Sequence, residues 1–206
     1  METTKNLIFD LGGVLIDLDM PKTAKAFYEL GITDLPDMLA VVHDHDIFLK
    51  LETGDLSPDD FVEALLKQSS KPVEKQSVVD AWNALLLNFR PESLDFLEKA
   101  GAHYNIFLLS NTNAIHEISF KEQYEKLRSK KMDDLFTKPY YSHKMGLRKP
   151  DKEIFEFVLN DSGLEPNQTI FIDDNAMNIA TAQSLGIGTL HLTPGKRVEK
   201  ELAWLL

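Results

Sequence analysis

A doubly wound α/β fold, with a parallel sheet of about five strands, helices on both faces and a small α-helical cap domain inserted after the first strand, is what three features of this 206-residue chain predict. Three short apolar runs, Leu7-Ile8-Phe9, Ile106-Phe107-Leu108-Leu109 and Thr169-Ile170-Phe171-Ile172, read as strands buried on both faces, and each ends in a polar residue: Asp10, Ser110 and Asp173. From Pro91 onward, helix and strand patterns alternate, as parallel βαβ units require. Residues 17 to about 89 contain no comparable strand and read as helices that pack on themselves. The expected division is a core of residues 1–17 and 90–206 and a cap of 18–89, with joints near 16–21 and at Arg90-Pro91.

The first strand runs into Asp10-Leu11-Gly12-Gly13-Val14-Leu15, where two glycines let the backbone turn beside the carboxylate. Further on, the clearest helix start is Ser57-Pro58-Asp59-Asp60: Ser57 caps, Pro58 suits the first helical position and Asp60 closes a capping box. Phe61, Val62, Leu65 and Leu66 form its apolar face. A second helical stripe carries Val78, Val79, Trp82, Leu85, Leu86 and Phe89, and Arg90-Pro91 breaks it. A helix over 92–100 is expected to end on Gly101 in the left-handed conformation, before the strand that leads to Ser110. The charged helix that follows, with Lys121, Glu122, Glu125, Lys126, Arg128, Lys130 and Lys131, presents a solvated face, and 137–141 is the third strand. Pro150, Asp151 and Glu153 open a helix that Gly163 closes. Another helix follows Asp173-Asp174 and ends at Gly186, and 187–192 supplies the last strand.

Composition narrows the function. A net charge of −11 argues against nucleic acid as a partner, because phosphate backbones are held by clustered Lys and Arg. The chain has no Cys, so disulfides, thiolate metal sites and thiol nucleophiles are excluded, and a reducing compartment is fitting. No apolar run is long enough to span a bilayer, and Met1-Glu2-Thr3-Thr4-Lys5 leads straight into a strand. A cytoplasmic protein with no membrane partner is expected.

Ligands of a parallel sheet bind beyond the carboxyl ends of its strands, so Asp10, Ser110 and Asp173 share one edge. Acids gathered there suit a hard divalent ion such as Mg²⁺, with Asp10 and Asp174 the side chains of choice. Neighbours on a strand point to opposite sides, so Asp174 reaches the ion while Asp173 supports it from behind. Ser110 and Asn111 at a helix mouth offer a hydroxyl and backbone N–H groups to phosphate oxygens, and Lys149 brings positive charge. A carboxylate is thereby placed to attack phosphorus. Elsewhere, His43-Asp44-His45-Asp46 reads as surface, since helix neighbours do not share a face, and His143 and Lys144 read as loop residues near the crevice. Glu52-Thr53-Gly54-Asp55 reads either as a plain interhelical turn or as a cap loop that meets the substrate's leaving group.

On these motifs the chain resembles the haloacid dehalogenase superfamily over essentially its full length: Asp10-Leu11-Gly12-Gly13-Val14, Ser110-Asn111, Lys149 and Asp173-Asp174, in that order. The resemblance implies a Rossmann-like core and a phosphatase acting on a small phosphorylated metabolite. It makes Asp10 the nucleophile that forms an aspartyl-phosphate and gives the phosphoryl group to Ser110 and Lys149. Asp10, the Gly12 carbonyl and Asp174 become the Mg²⁺ ligands. Phosphatases and phosphomutases of the superfamily usually carry a second Asp two residues after the nucleophile, an acid and base for the leaving oxygen and the water; here Gly12 stands in its place. That departure argues against a mutase. The opening motif resembles a branch with sugar-phosphate phosphatases such as glucose-1-phosphate phosphatase, in which glycine also occupies this position. Two alternatives remain: a 2-haloacid dehalogenase, which needs no Mg²⁺, and a protein that binds a phosphorylated ligand or a partner without turnover.

Overall fold

The computed structural model describes residues 4–33 and 46–206. Strand β1 (Asn6–Phe9) is buried along its length because strands β4 (Asn105–Ser110) and β6 (Thr169–Asp173) flank it, both parallel to it. Strands β5 (Lys138–Tyr141) and β7 (Gly188–His191) complete a five-stranded parallel sheet in the order β5-β4-β1-β6-β7. Alternation along the strands sends Leu7, Phe9, Ile106, Leu108 and Ile172 to one face and Ile8, Phe107, Leu109 and Phe171 to the other. Helices α5 (Pro91–Ala100) and α6 (Ala114–Arg128) cover the first face, and α8 (Lys152–Ser162) and α9 (Ala176–Ser184) cover the second. The expected doubly wound α/β architecture is therefore what the chain adopts.

Helices α1 (Met20–Glu29), α2 (Asp46–Thr53), α3 (Pro58–Leu66) and α4 (Lys75–Asn83) lie between the first two strands of the sheet in sequence. Their apolar faces meet around Trp82, whose ring lies 6.3, 5.2 and 5.3 Å from those of Phe27, Phe48 and Phe61. Burying each such side chain contributes ~1.5–3 kcal/mol. At the start of α3, Ser57 caps as expected, accepting from the Asp60 amide at 3.1 Å; the Asp60 carboxylate takes the Ser57 hydroxyl at 2.6 Å and not the Ser57 amide that a capping box uses.

Two local expectations need correction. The helical stripe does not extend to Phe89: α4 stops at Asn83, and β3 (Leu86–Phe89) pairs antiparallel with β2 (Ile16–Leu18), with Ile16 opposite Phe89 and Leu18 opposite Leu86. Main-chain bonds from Asp19 to Leu85 (2.9 Å) and from Arg90 to Leu15 (2.9 Å) extend this ribbon, which satisfies backbone groups that a helix ending there would leave open. Gly101 is right-handed, at φ −62°; left-handed C-caps stand instead at Ser129, after α6, and at Gly163, which closes α8 as expected.

Candidate active site

The Asp10 amide donates to Ile172 O at 2.9 Å, so the β1–β6 ladder carries Asp10 to the level of Asp173 before the chain turns away. Between them lies Lys149, 1% exposed, with Nζ 2.8 Å from Asp10 Oδ1 and 2.7 Å from Asp173 Oδ2. Asp173 is wholly buried and also accepts from the Asn175 amide at 2.7 Å and from Asn178 Nδ2 at 3.0 Å. Asp174, one residue on, is exposed, and oxygens of Asp10, Asp173 and Asp174 lie within 4.8 Å of one another.

Three carboxylates thus face one ammonium. The Asp10 carboxyl is raised from its ordinary 3.8 to about 7: burial is the largest cause, Lys149 opposes it, and Asp173 and Asp174 add to it. Asp174 is raised too, by burial and then by Asp173. Burial works against the Lys149 charge, but Asp10 and Asp173 outweigh it and lift its pKa. The donor set fits Mg²⁺: the oxygens are hard and carry more negative charge than Lys149 neutralises.

Ser110 ends β4 and is 3% exposed. Asn111 precedes α6 by three residues, and its side chain is committed: Nδ2 donates to Lys149 O at 2.8 Å and Oδ1 accepts from Lys149 N at 2.9 Å. This amide clamp fixes the loop that carries Lys149 against the end of β4. In the same loop region, Ser142 Oγ donates to Thr112 O and accepts from Thr112 N, both at 2.9 Å.

Gly13 takes the left-handed conformation, at φ +70°, and a Cβ there would lie 2.1 Å from Asp174 Oδ2. Gly12 lies outside that region, and its Cβ would meet Leu18 Cδ1 at 2.6 Å. Of the two glycines, only Gly13 is bound to its identity by conformation and space together.

The turn after α2 faces the Lys149 loop. Arg148 Nη2 donates to Glu52 Oε2 at 3.0 Å, and Gly54 packs so closely on His143 O that a Cβ would come within 2.2 Å of it. Burial raises the pKa of Glu52, against the pull of Arg148 and Lys149. A cleft of about 370 Å³ opens beside this contact, lined by Thr53, Asp55, Arg148, Asp151 and Glu153 among others. His116 of α6 meets Asn83 at the end of α4, Nδ1 to Oδ1 2.9 Å, and stacks on Trp82.

His143 and Lys144 are more than loop residues. In the short helix α7 (Ser142–Met145) they hold Glu117 at 2.9 and 2.5 Å, with Lys121 on the same carboxylate at 2.7 Å. Burial disfavours the Glu117 charge, yet these three partners outweigh it and hold its pKa well below the carboxylate range. His43, Asp44 and His45 lie outside the described residues.

The family model of haloacid dehalogenase-like hydrolases matches residues 4–186. A D-ribitol-5-phosphate phosphatase of Bacteroides thetaiotaomicron is 32% identical over 203 residues, covering 98% of each chain. A sesquiterpene phosphatase of Aspergillus oryzae is 28% identical over 207 residues, covering 99% of this chain and 97% of the relative. A crystal structure of a haloacid dehalogenase-family enzyme from Bacteroides thetaiotaomicron, in complex with magnesium and inorganic phosphate, superposes with a TM-score of 0.90 at 35% identity, covering 96% of this chain and 98% of that one.

Proposed function

The chain belongs to the haloacid dehalogenase-like hydrolases, and we propose that it is a Mg²⁺-dependent phosphatase of a small sugar or polyol phosphate, acting through an aspartyl-phosphate on Asp10. The convergence of Asp10 and Asp173 on one buried lysine, with the Asp174 carboxylate beside them, carries this assignment. The substrate class is supported by the ribitol-phosphate phosphatase relative and by the branch of sugar-phosphate phosphatases that the opening motif resembles.

A carboxylate oxygen of Asp10 attacks phosphorus, the bond from phosphorus to the leaving oxygen breaks, and the phosphoryl group passes to Asp10. Lys149 shifts its charge from the carboxylate toward the phosphoryl oxygens, and the Ser110 hydroxyl and the Asn111 backbone N–H hold the others. The Asn111 side chain keeps Lys149 in register through its main chain. Asp10, the Gly12 carbonyl and Asp174 hold Mg²⁺, with Asp173 behind them; the ion neutralises phosphate charge and favours the ionised form of Asp10. Water then attacks phosphorus and returns Asp10 as a free carboxylate. Residues 18–89 act as a movable cap, in which Glu52-Thr53-Gly54-Asp55 meets the part of the substrate beyond the phosphate.

Position 12 offers no side chain to protonate the leaving oxygen or to take the proton from water. Such help is typically worth ~10²- to 10⁴-fold, so breakdown of the phosphoenzyme is the slow step and acidic leaving groups are preferred. A burst of alcohol release should precede a slower steady state. Gly12→Asp should raise the steady rate, because the backbone conformation admits a side chain and the obstructing Leu18 Cδ1 is the far end of a flexible, 43% exposed side chain. Rapid-quench measurements on a panel of polyol and sugar phosphates, with and without chelator, test the proposal. Phosphate release with Mg²⁺ and its loss with chelator are expected. Chelator-resistant release of halide from 2-haloacids, with no turnover of phosphates, would overturn it.

A further inference from the structure

Arg90 stands where the chain returns from the helical segment to the sheet, between β3 and α5. Its side chain is 11% exposed, and nearly every donor reaches back to the turn after Asp10. Nη1 donates to two carbonyls, Gly13 O at 2.6 Å and Val14 O at 2.9 Å. Nε and Nη2 donate to Asp17 Oδ1 at 2.8 and 2.6 Å, and the Arg90 amide donates to Leu15 O at 2.9 Å. One residue thereby fastens Gly13, Val14, Leu15 and Asp17. A planar guanidinium with several fixed donors can do this; an ammonium, with its charge at one point, cannot span the same acceptors.

We propose that Arg90 is a positioning residue for the Mg²⁺ site, which it shapes by fixing the peptide plane between Gly12 and Gly13. The proposal rests on the Mg²⁺-phosphatase reading of the site. The Gly13 amide donates to Ile16 O at 2.9 Å, and a trans peptide sets the Gly12 carbonyl on the opposite side of the same plane, away from the bond that occupies the N–H. Arg90 holds the next carbonyl along, and on the other side the Asp174 carboxylate fills the space a Gly13 side chain would take. Two of the three proposed Mg²⁺ ligands, Gly12 O and Asp174, thus flank a turn that Arg90 clamps. Without the clamp, the Gly12–Gly13 peptide keeps only the bond of its N–H to Ile16 O, the carbonyls after it are released, and the ligand set loses part of its preorganisation.

Calorimetric titration of the full-length chain with Mg²⁺ alone, beside thermal melting, tests this. Supporting groups around a metal typically change its affinity ~10- to 100-fold. Arg90→Ala is expected to weaken Mg²⁺ binding by about 10-fold or more, and added ethylguanidinium to restore part of the loss, which a merely structural role would not produce. Arg90→Lys keeps the stem and the charge and carries the decision if Arg90→Ala does not fold. It is expected to bind Mg²⁺ several-fold more weakly while melting as a folded protein. Arg90→Lys binding within twofold of a Mg²⁺-binding wild type overturns the proposal alone; a wild type that takes up no Mg²⁺ removes the phosphatase reading together with it.

Discussion

At the sheet edge, Asp10, Lys149 and Asp173 are joined by ion pairs of 2.8 and 2.7 Å among side chains at most 13% exposed, each borne by a strand end or a clamped loop. The helical segment touches that edge differently: its Glu52 meets Arg148 through a pair whose side chains keep 28% and 20% of their exposure, and Gly54 rests on a main-chain carbonyl. A charge cluster built from strand ends has its geometry dictated by the register of the ladder, at the cost of a carboxyl whose pKa is lifted to about 7, chiefly by burial. The contact across the segment is partly solvated and local. Gly54 is tied to its identity by that carbonyl, whereas Glu52 and Arg148 are side chains at the margin of the cluster; in the proposed phosphatase the cluster would carry the chemistry and this margin the selectivity.

The largest effect that sharpens this contrast belongs to Asp10→Asn. The amide is a poor nucleophile, and turnover should fall by about 10⁴-fold or more with the circular dichroism spectrum retained. Near-wild-type turnover would place the chemistry elsewhere. Next in size, Asp174→Ala should weaken Mg²⁺ binding by on the order of 10²-fold in a calorimetric titration. It should also remove the rise in melting temperature that the ion gives wild type, about 5–10 °C at ~100 times its Kd.

Changes in the segment should be smaller and of another kind. A hydrogen bond to a charged group is worth ~1.5–3 kcal/mol, so Glu52→Gln should change the ratio of kcat/KM between two polyol phosphates by about 10-fold and leave Mg²⁺ affinity alone. An unchanged ratio beside a weakened Mg²⁺ affinity would break the comparison. An effect on stability and not on turnover concerns His116, between the two regions. Burial pushes its pKa from 6.5 down to about 3, so the folded chain keeps it neutral. The unfolded chain gains a proton below pH ~6.5 that the folded chain refuses until about 3. Its stability contribution is whole above the first value and lost progressively toward the second, at up to ~1.4 kcal/mol per pH unit. Urea titrations of His116→Gln from roughly pH 4 to 6, inside that window, should show a pH dependence of stability shallower by about one proton; an identical slope would assign the acid sensitivity to other groups.

That Asp10, Ser110 and Asp173 share one edge was legible because uniform apolar runs mark the strand ends of a parallel sheet; Lys149 stands on a loop, and its seat between Asp10 and Asp173 follows from no strand pattern. The partners that hold these residues were not legible either. Asn111 was read for its backbone, yet its side chain clamps a main chain 38 residues away, a pairing without a spacing rule. Arg90 was read as a helix break; its acceptors are carbonyls, which every residue has, so only the folded path shows which ones it takes. Leu86 and Phe89 suit a helical stripe, and their strand depends on β2, near the other end of the segment in sequence. Local periodicity cannot see that partner.

The β2–β3 ribbon places the two crossings into the helical segment side by side, with Leu18 opposite Leu86. An insertion whose ends are already paired is topologically separable: a tight hairpin turn of the Asn-Gly kind is enough to reconnect the strands and omit everything between them. Asp17, Arg90 and all the strand-end acids stay in such a shortened chain. The sheet edge would then face solvent over its whole width, open to phosphate groups on bodies far larger than a sugar, and the segment itself becomes an exchangeable part.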